Sequence, residues 1–100
     1  MPTQPGVAQI RQVLMQHLPA LAERYGVESL GLFGSFVRQE NRPDSDLDVL
    51  VGFTAVPSLF RFIELENHLS DLLGVKVDLV MRRALKDDVG RDILRELVAI

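Results

Sequence analysis

The apolar residues of the first quarter of the chain recur at helical spacing. Six positions follow one another at intervals of three and four: Val7, Ile10, Leu14, Leu18, Leu21 and Tyr25. This pattern predicts an amphipathic helix that Gly26 ends, because glycine readily adopts the left-handed conformation found at helix C-termini. Pro19 lacks an amide hydrogen, so we expect a kink or a break into two short helices near residues 17–19.

Three later segments have the length and apolar content of β-strands. They cover Val27–Phe33, Asp46–Phe53 and Val75–Met81. Between the second and third, an apolar stripe runs from Leu59 to Leu73, with Ser58 before it and Gly74 after it, and predicts a helix. A connection of this length permits the two strands that it joins to pair in parallel.

Two more helices complete the predicted order. A short one is expected from Gly34-Ser35 to Arg38, followed by a polar loop over residues 39–45 that Pro43 and Asp44 shape into a turn. A last one is expected from Ala84 to Ile100. Its inward residues would be Leu85, Val89, Ile93, Leu94 and Leu97. The order αβαβαβα predicts an α+β fold in which helices pack mainly on one face of a three-stranded mixed sheet, in a single domain spanning residues 1–100.

Composition narrows the class of protein. A hydrophobic content of 47% in 100 residues is sufficient for one core. No apolar run approaches the roughly 20 residues needed to span a bilayer, and the first residues lack the order of a secretion signal, so we expect a soluble, cytoplasmic protein with no membrane partner. The net charge of −3 argues against direct non-specific nucleic-acid binding.

Three acidic residues are candidates for a metal site. Asp46 and Asp48 point to the same side of their strand, about 6 to 7 Å apart, and Asp78 lies on a strand that would be about 5 Å away. Carboxylates this crowded repel one another unless a cation neutralises them, and the absence of cysteine leaves oxygen ligands typical of Mg²⁺ or Mn²⁺. His17 and His68 have no acids nearby at ligand spacing and are expected at the surface or an interface.

The Gly34-Ser35 pair is a candidate anion-binding corner. Glycine admits a phosphate close to the backbone, unpaired N–H groups would face it, and the serine hydroxyl adds a donor. Arg38 and Arg42 are near enough in sequence to contact a triphosphate. Each feature alone has an ordinary explanation, such as a helix cap, a strand edge or a surface charge. Their conjunction favours phosphoryl or nucleotidyl transfer.

The same motif carries a family resemblance. Gly34-Ser35, ten residues, Asp46-x-Asp48 and then Asp78 in an apolar strand resemble the DNA polymerase β-like nucleotidyltransferase superfamily. The stretches GSFVRQENRPDSDLDVLV and LLGVKVDLV resemble its minimal nucleotidyltransferase (MNT) branch, over almost the whole chain. The resemblance implies the polymerase β-like fold. It also implies that Gly34 and Ser35 bind the triphosphate of ATP, that Asp46 and Asp48 hold both metals, and that Asp78 completes the catalytic metal site and assists deprotonation of the acceptor.

The resemblance further implies a protein partner. MNT proteins are commonly encoded beside a HEPN-domain ribonuclease toxin, act as its antitoxin and can transfer AMP from ATP to a toxin tyrosine. We therefore expect a protein adenylyltransferase that forms a hetero-oligomer with such a toxin. Phe60 and Phe62 lie two residues apart on one helix and cannot both face fully inward, so one of them is available for docking.

Two alternatives remain open at the level of sequence. One is a non-catalytic antitoxin that neutralises the toxin by direct binding. The other is a nucleotide-binding sensor that holds ATP without turnover. A complete set of three mutually repelling carboxylates favours the enzyme over the pure binder, which has no physical need of them.

Overall fold

A computed structural model of the chain describes residues 5–100. Its elements are α1 (Val7–Tyr25), β1 (Val27–Phe33), β2 (Leu47–Phe53), α2 (Leu59–Leu73), β3 (Val77–Met81), a 3-10 turn (Arg82–Ala84), α3 (Asp87–Glu96) and β4 (Val98–Ala99). The predicted bounds of the first strand and of the α2 stripe are confirmed. The predicted second and third strands begin one and two residues later than expected.

The strands form one mixed sheet in the order β3-β2-β1-β4. β1 pairs antiparallel with β2 and with β4, whereas β2 and β3 pair in parallel, as the length of the α2 connection predicts. The register places Asp48 opposite Phe33 on one side and opposite Asp78 on the other. The end of β1, the start of β2 and the start of β3 therefore meet at one end of the sheet.

The core lies between the sheet and the two longer helices. α1 packs on β1, α2 packs on β3, and the two helices contact each other, so they cover the same face of the sheet. The largest fully buried side chains are Ile10, Leu14, Leu21, Leu32, Leu47, Leu65, Leu69, Val49 and Val51. Among residues 5 to 100, no helix is long and apolar enough to cross a membrane.

α2 also closes the outer edge of β3. The N–H of Leu79 donates to Glu66 Oε2 at 2.9 Å, and the N–H of Val77 donates to the Ser70 hydroxyl at 3.0 Å. The Ser70 hydroxyl in turn donates to the Glu66 carbonyl. Two helix side chains thereby satisfy edge amides on either side of Asp78 and hold the strand that carries it.

Three of the predicted features are wrong in detail. The sheet has four strands rather than three, because Val98 and Ala99 pair with β1. Residues 35–39 form turns rather than a short helix: the Arg38 N–H donates to the Gly34 carbonyl, but Gln39 then takes a left-handed φ of 59°, which stops helical propagation. Of the two outcomes predicted at Pro19, a kink or a break, the break is wrong, because α1 is continuous from Val7 to Tyr25.

The C-terminal region also differs from its prediction. The last helix begins at Asp87 and ends at Glu96, instead of covering Ala84 to Ile100. Val89 and Leu94, which were expected to face inward, are 55% and 44% exposed. The helix is shorter because residues 98 and 99 pair with β1 as an edge strand instead of continuing the helical ladder, and the outward Ala99 carbonyl accepts from Arg11 Nε at 3.0 Å.

Candidate active site

Asp48 is the centre of the acidic cluster. It lies on β2, half-buried, between β1 and β3, and Asp78 occupies the matching position of β3. Asp46 comes just before β2 and is also half-buried, whereas Asp78 is exposed. The parallel register is what brings Asp48 and Asp78 side by side from positions 30 residues apart in the chain.

The neighbouring carboxylates affect the pKa of Asp48. Burial, followed by the charges of Asp78 and Asp46, raises the pKa of Asp48 from 3.8 to about 6. Arg38 opposes the shift, and Glu96 adds to it. A divalent cation bound at Asp48 would relieve this repulsion from its two neighbouring carboxylates.

The carboxylates do not all converge on one position in this structure. Within residues 5–100, no group of three or more acidic, histidine or cysteine side chains is close enough together to hold a single ion. The chemistry of the donor set, oxygen ligands alone with mutual repulsion at Asp48, fits Mg²⁺ or Mn²⁺. The backbone places the three acids at the same end of the sheet.

Gly34 lies directly against Asp48. Its φ of +82° is the left-handed conformation, and a Cβ built at this position would overlap the Asp48 carboxylate. Only glycine therefore permits both the backbone conformation and the close approach. Ser35 follows at the start of the turn, half-buried, and its carbonyl accepts the N–H of Glu40 at 2.9 Å.

The donors of the Gly34 corner are engaged by Glu96, which sequence reasoning did not identify. The Gly34 N–H donates to Glu96 Oε1 at 2.8 Å, and Arg38 Nη1 lies 3.1 Å from both Glu96 oxygens. Arg38 also contacts Glu40, with 3.3 Å between Nε and Oε2. The Gly34 hydrogen bond, together with Arg38, lowers the pKa of Glu96, and the two carboxylates raise the pKa of Arg38 further.

The other residues singled out in the sequence lie in the loop before β2 and on α2. Arg42 is exposed in the loop before β2, where its N–H donates to the Ser45 hydroxyl at 2.8 Å, and Pro43-Asp44 forms the turn. His68, which was expected at the surface or an interface, is half-buried, and its ring tilts against Tyr25 with 5.8 Å between centroids. Phe62 packs on the core, and Phe60 is 87% exposed, so only one of the two aromatic residues faces inward.

A separate cavity lies at the other end of the sheet. It has a volume of about 210 Å³ and is lined by Glu28, Val51, Gly52, Phe53, Val56, Met81, Arg82 and Arg83. Its lining contains none of the three acids. The cavity is therefore distinct from the acidic cluster.

Known proteins resemble this chain along most of its length. The family model of the nucleotidyltransferase domain matches residues 14–100. Protein adenylyltransferase MntA of Thermococcus cleftensis is 49% identical over 92 residues, which make up 92% of this chain and 93% of that protein. A solved structure described as a minimal nucleotidyltransferase has a TM-score of 0.80 and 34% identity, and the match covers 99% of this chain and 100% of that one.

A more distant likeness concerns the fold alone. The solved complex of the tri-AMPylated Shewanella oneidensis HEPN toxin with an MNT antitoxin contains a chain with a TM-score of 0.59 and 21% identity. The match covers 92% of this chain and 66% of that chain. The sheet and helices are shared, and the predicted mixed α+β architecture is confirmed.

Proposed function

The chain belongs to the nucleotidyltransferase domain family, in its minimal branch, and on that premise we propose that it transfers AMP from ATP to a hydroxyl group of a HEPN-domain toxin. The observation that carries the proposal is the placement of Asp48 between Asp78 and Gly34. Phosphoryl transfer needs carboxylates that hold metal ions close to backbone donors that bind the phosphates. Asp48 with Asp78 supplies the first, and Gly34 supplies the second.

We assign the roles as follows. Asp46, Asp48 and Asp78 would hold Mg²⁺ or Mn²⁺, with Asp46 and Asp48 as ligands of both ions and Asp78 completing the catalytic metal site. A bound cation would supply charge neutralisation at the phosphates and a lower pKa for the attacking hydroxyl. Gly34 and Ser35 donate to the triphosphate, and Arg38 and Arg42 contact it from the turn and the loop. These residues orient the α-phosphate toward the acceptor.

The reaction balances as a substitution at the α-phosphorus. The acceptor oxygen forms a bond to this phosphorus, the bond from it to the oxygen bridging to the β-phosphate breaks, and pyrophosphate leaves. Asp78 takes the proton of the acceptor hydroxyl. Its exposure on β3 suits it to meet an acceptor that arrives from outside the chain.

A separate protein as the acceptor is supported by the relatives. One is named a protein adenylyltransferase, and another is an MNT antitoxin bound to a tri-AMPylated HEPN toxin. Exposed Phe60 and Leu59 at the start of α2 offer apolar surface for such a complex.

Intact-mass spectrometry of the toxin tests the proposal. A HEPN toxin encoded beside this chain is incubated with it, ATP and Mg²⁺, in parallel with the Asp46→Ala/Asp48→Ala variant and with an Asp71→Ala control, since Asp71 is an exposed acid of α2. Wild type and control should add whole AMP units, and the double variant none. A toxin that is inhibited without a change in mass would leave a binding antitoxin and refute the transferase.

A further inference from the structure

Glu96 occupies the donors that the proposed function assigns to the triphosphate. Its Oε1 accepts the Gly34 N–H at 2.8 Å, and both of its oxygens lie 3.1 Å from Arg38 Nη1. A backbone N–H has one hydrogen to donate, so a phosphate oxygen cannot take this bond while the carboxylate holds it. The Glu96 carboxylate thus occupies the two donors, the Gly34 N–H and Arg38, that the proposed function assigns to phosphate oxygens.

The charge of Glu96 acts in the same direction as its position. Its carboxylate lies against the Gly34 N–H, so it adds negative potential to a site that must accept a polyanion. Arg38, which would otherwise attract phosphate, is shared between Glu96 and Glu40. While Glu96 holds this position, the Gly34 N–H and Arg38 are both bound to its carboxylate.

A short anchor holds Glu96 in this position. The next residue, Leu97, packs against Gly31 so closely that a Cβ there would lie 2.6 Å from Leu97 Cδ1. Val98 and Ala99 then pair with Leu32 and Gly31, and the Ile100 N–H donates to the Leu30 carbonyl at 3.0 Å. α3 itself buries only Gly90, whereas Val98 and Ile100 after it pack against the core. The helix that carries Glu96 therefore depends on this short anchor and has little core packing of its own to resist opening.

We propose that Glu96 is an affinity-determining residue of the nucleotide site: its carboxylate competes with the triphosphate for Gly34 and Arg38, and ATP binding displaces it. The inference rests on the proposed function. An opposite role, in which Glu96 orients Arg38 for catalysis, fits less well, because the shorter of its hydrogen bonds is to the Gly34 N–H rather than to the arginine. The two roles predict opposite effects of removing the charge.

Calorimetric titration with a non-hydrolysable ATP analogue and Mg²⁺ separates them. Glu96→Gln should bind roughly tenfold more tightly than wild type, the size expected from one charge-assisted contact. Glu40→Gln is the matched control, because Glu40 also contacts Arg38 but not Gly34, and its affinity should stay within about twofold of wild type. Leu97→Ala keeps the carboxylate but loosens its anchor, and should also tighten binding.

Hydrogen exchange supplies a readout that does not depend on affinity. The amides of Val98 and Ile100, which face β1, should exchange faster in wild type when the analogue binds, and already faster in unliganded Glu96→Gln. If wild type binds the analogue and Glu96→Gln binds equally or more weakly, the competitor role is overturned while the proposed function stands. If wild type and all variants fail to bind the analogue, the proposed function fails with it.

Discussion

The Asp48 carboxylate occupies the space that a side chain at position 34 would need. Gly34 follows Phe33, the residue paired with Asp48 across the sheet, and its left-handed φ turns the chain over that carboxylate. The glycine of the anion corner and the central acid of the cluster are therefore in direct contact. A substitution at position 34 would therefore disturb both the anion-binding corner and the acidic cluster.

Gly34→Ala should consequently abolish AMP transfer, because the added methyl group displaces the Asp48 carboxylate. A left-handed alanine costs about 1–3 kcal/mol of strain as well. Gly74→Ala is the matched control: Gly74 has a φ of +70° with open space around its Cβ position. Both variants should lose stability in urea denaturation, but only Gly34→Ala should lose activity. Equal activity of the two variants would contradict the contact.

The raised pKa of Asp48 predicts a pH-dependent stability in metal-free protein. Between pH 3.8 and about 6 the folded state binds more protons at Asp48 than the unfolded state, so the free energy of unfolding falls as the pH rises through this window. Allowing for solvent screening, Asp48 should contribute a decrease of about 1 kcal/mol. Asp48→Asn should remove this decrease and be the more stable protein at pH 7. The check is urea denaturation in EDTA from pH 4 to 7, with the contribution of Asp48 taken as the difference between wild type and variant.

Divalent cations should restore the free energy of unfolding that ionisation of Asp48 removes. With a non-hydrolysable ATP analogue present, Mg²⁺ should raise the Tm of wild type by a few degrees, corresponding to about 1 kcal/mol for a domain of this size. Asp46→Asn and Asp48→Asn should lose the response, whereas Asp71→Asn, an exposed acid of α2, should keep it. A thermal melt that is the same with Mg²⁺ and with EDTA would argue against these acids as ligands.

Pro19 offers a test of the fold that is independent of the site. It lies exposed inside the continuous helix α1, where it removes one backbone hydrogen bond. Pro19→Ala should increase the free energy of unfolding by about 1–3 kcal/mol, because an interior proline is the least favourable helix residue. Nucleotide binding should not change. An unaltered denaturation midpoint would mean that the helix bends to accommodate the ring at no net cost.

The helices and strands that have regular apolar spacing and clear boundary residues could be predicted from the sequence. The stretch Val27–Phe33 lies between two glycines and contains Leu30, Leu32 and Phe33. The stripe from Leu59 to Leu73 has a serine cap and a glycine stop, so the bounds predicted for both elements are the observed ones. The parallel pairing that sets Asp48 beside Asp78 followed from the length of the α2 connection. The cluster of acids at one sheet end was therefore foreseeable.

The features that escaped prediction depend on contacts distant in sequence. The two residues of β4 are too few to show alternation, and they are a strand only because the edge of β1 is there to pair with them. Glu96 contacts Gly34 across 62 positions, and nothing local distinguishes it from the other charges of α3. The turn after Gly34 stops early because Gln39 adopts a left-handed φ, which glutamine rarely does.

The hydrogen bonds from Glu66 and Ser70 to the outer amides of β3 bear on how this molecule can assemble. An exposed strand edge is a template on which another chain can add a strand and start aggregation. Because α2 already holds the Val77 and Leu79 amides, a second chain cannot extend the sheet beside Asp78 without displacing that helix. A partner reaching the acids must therefore approach over the face or end of the sheet, and self-association through this edge is blocked.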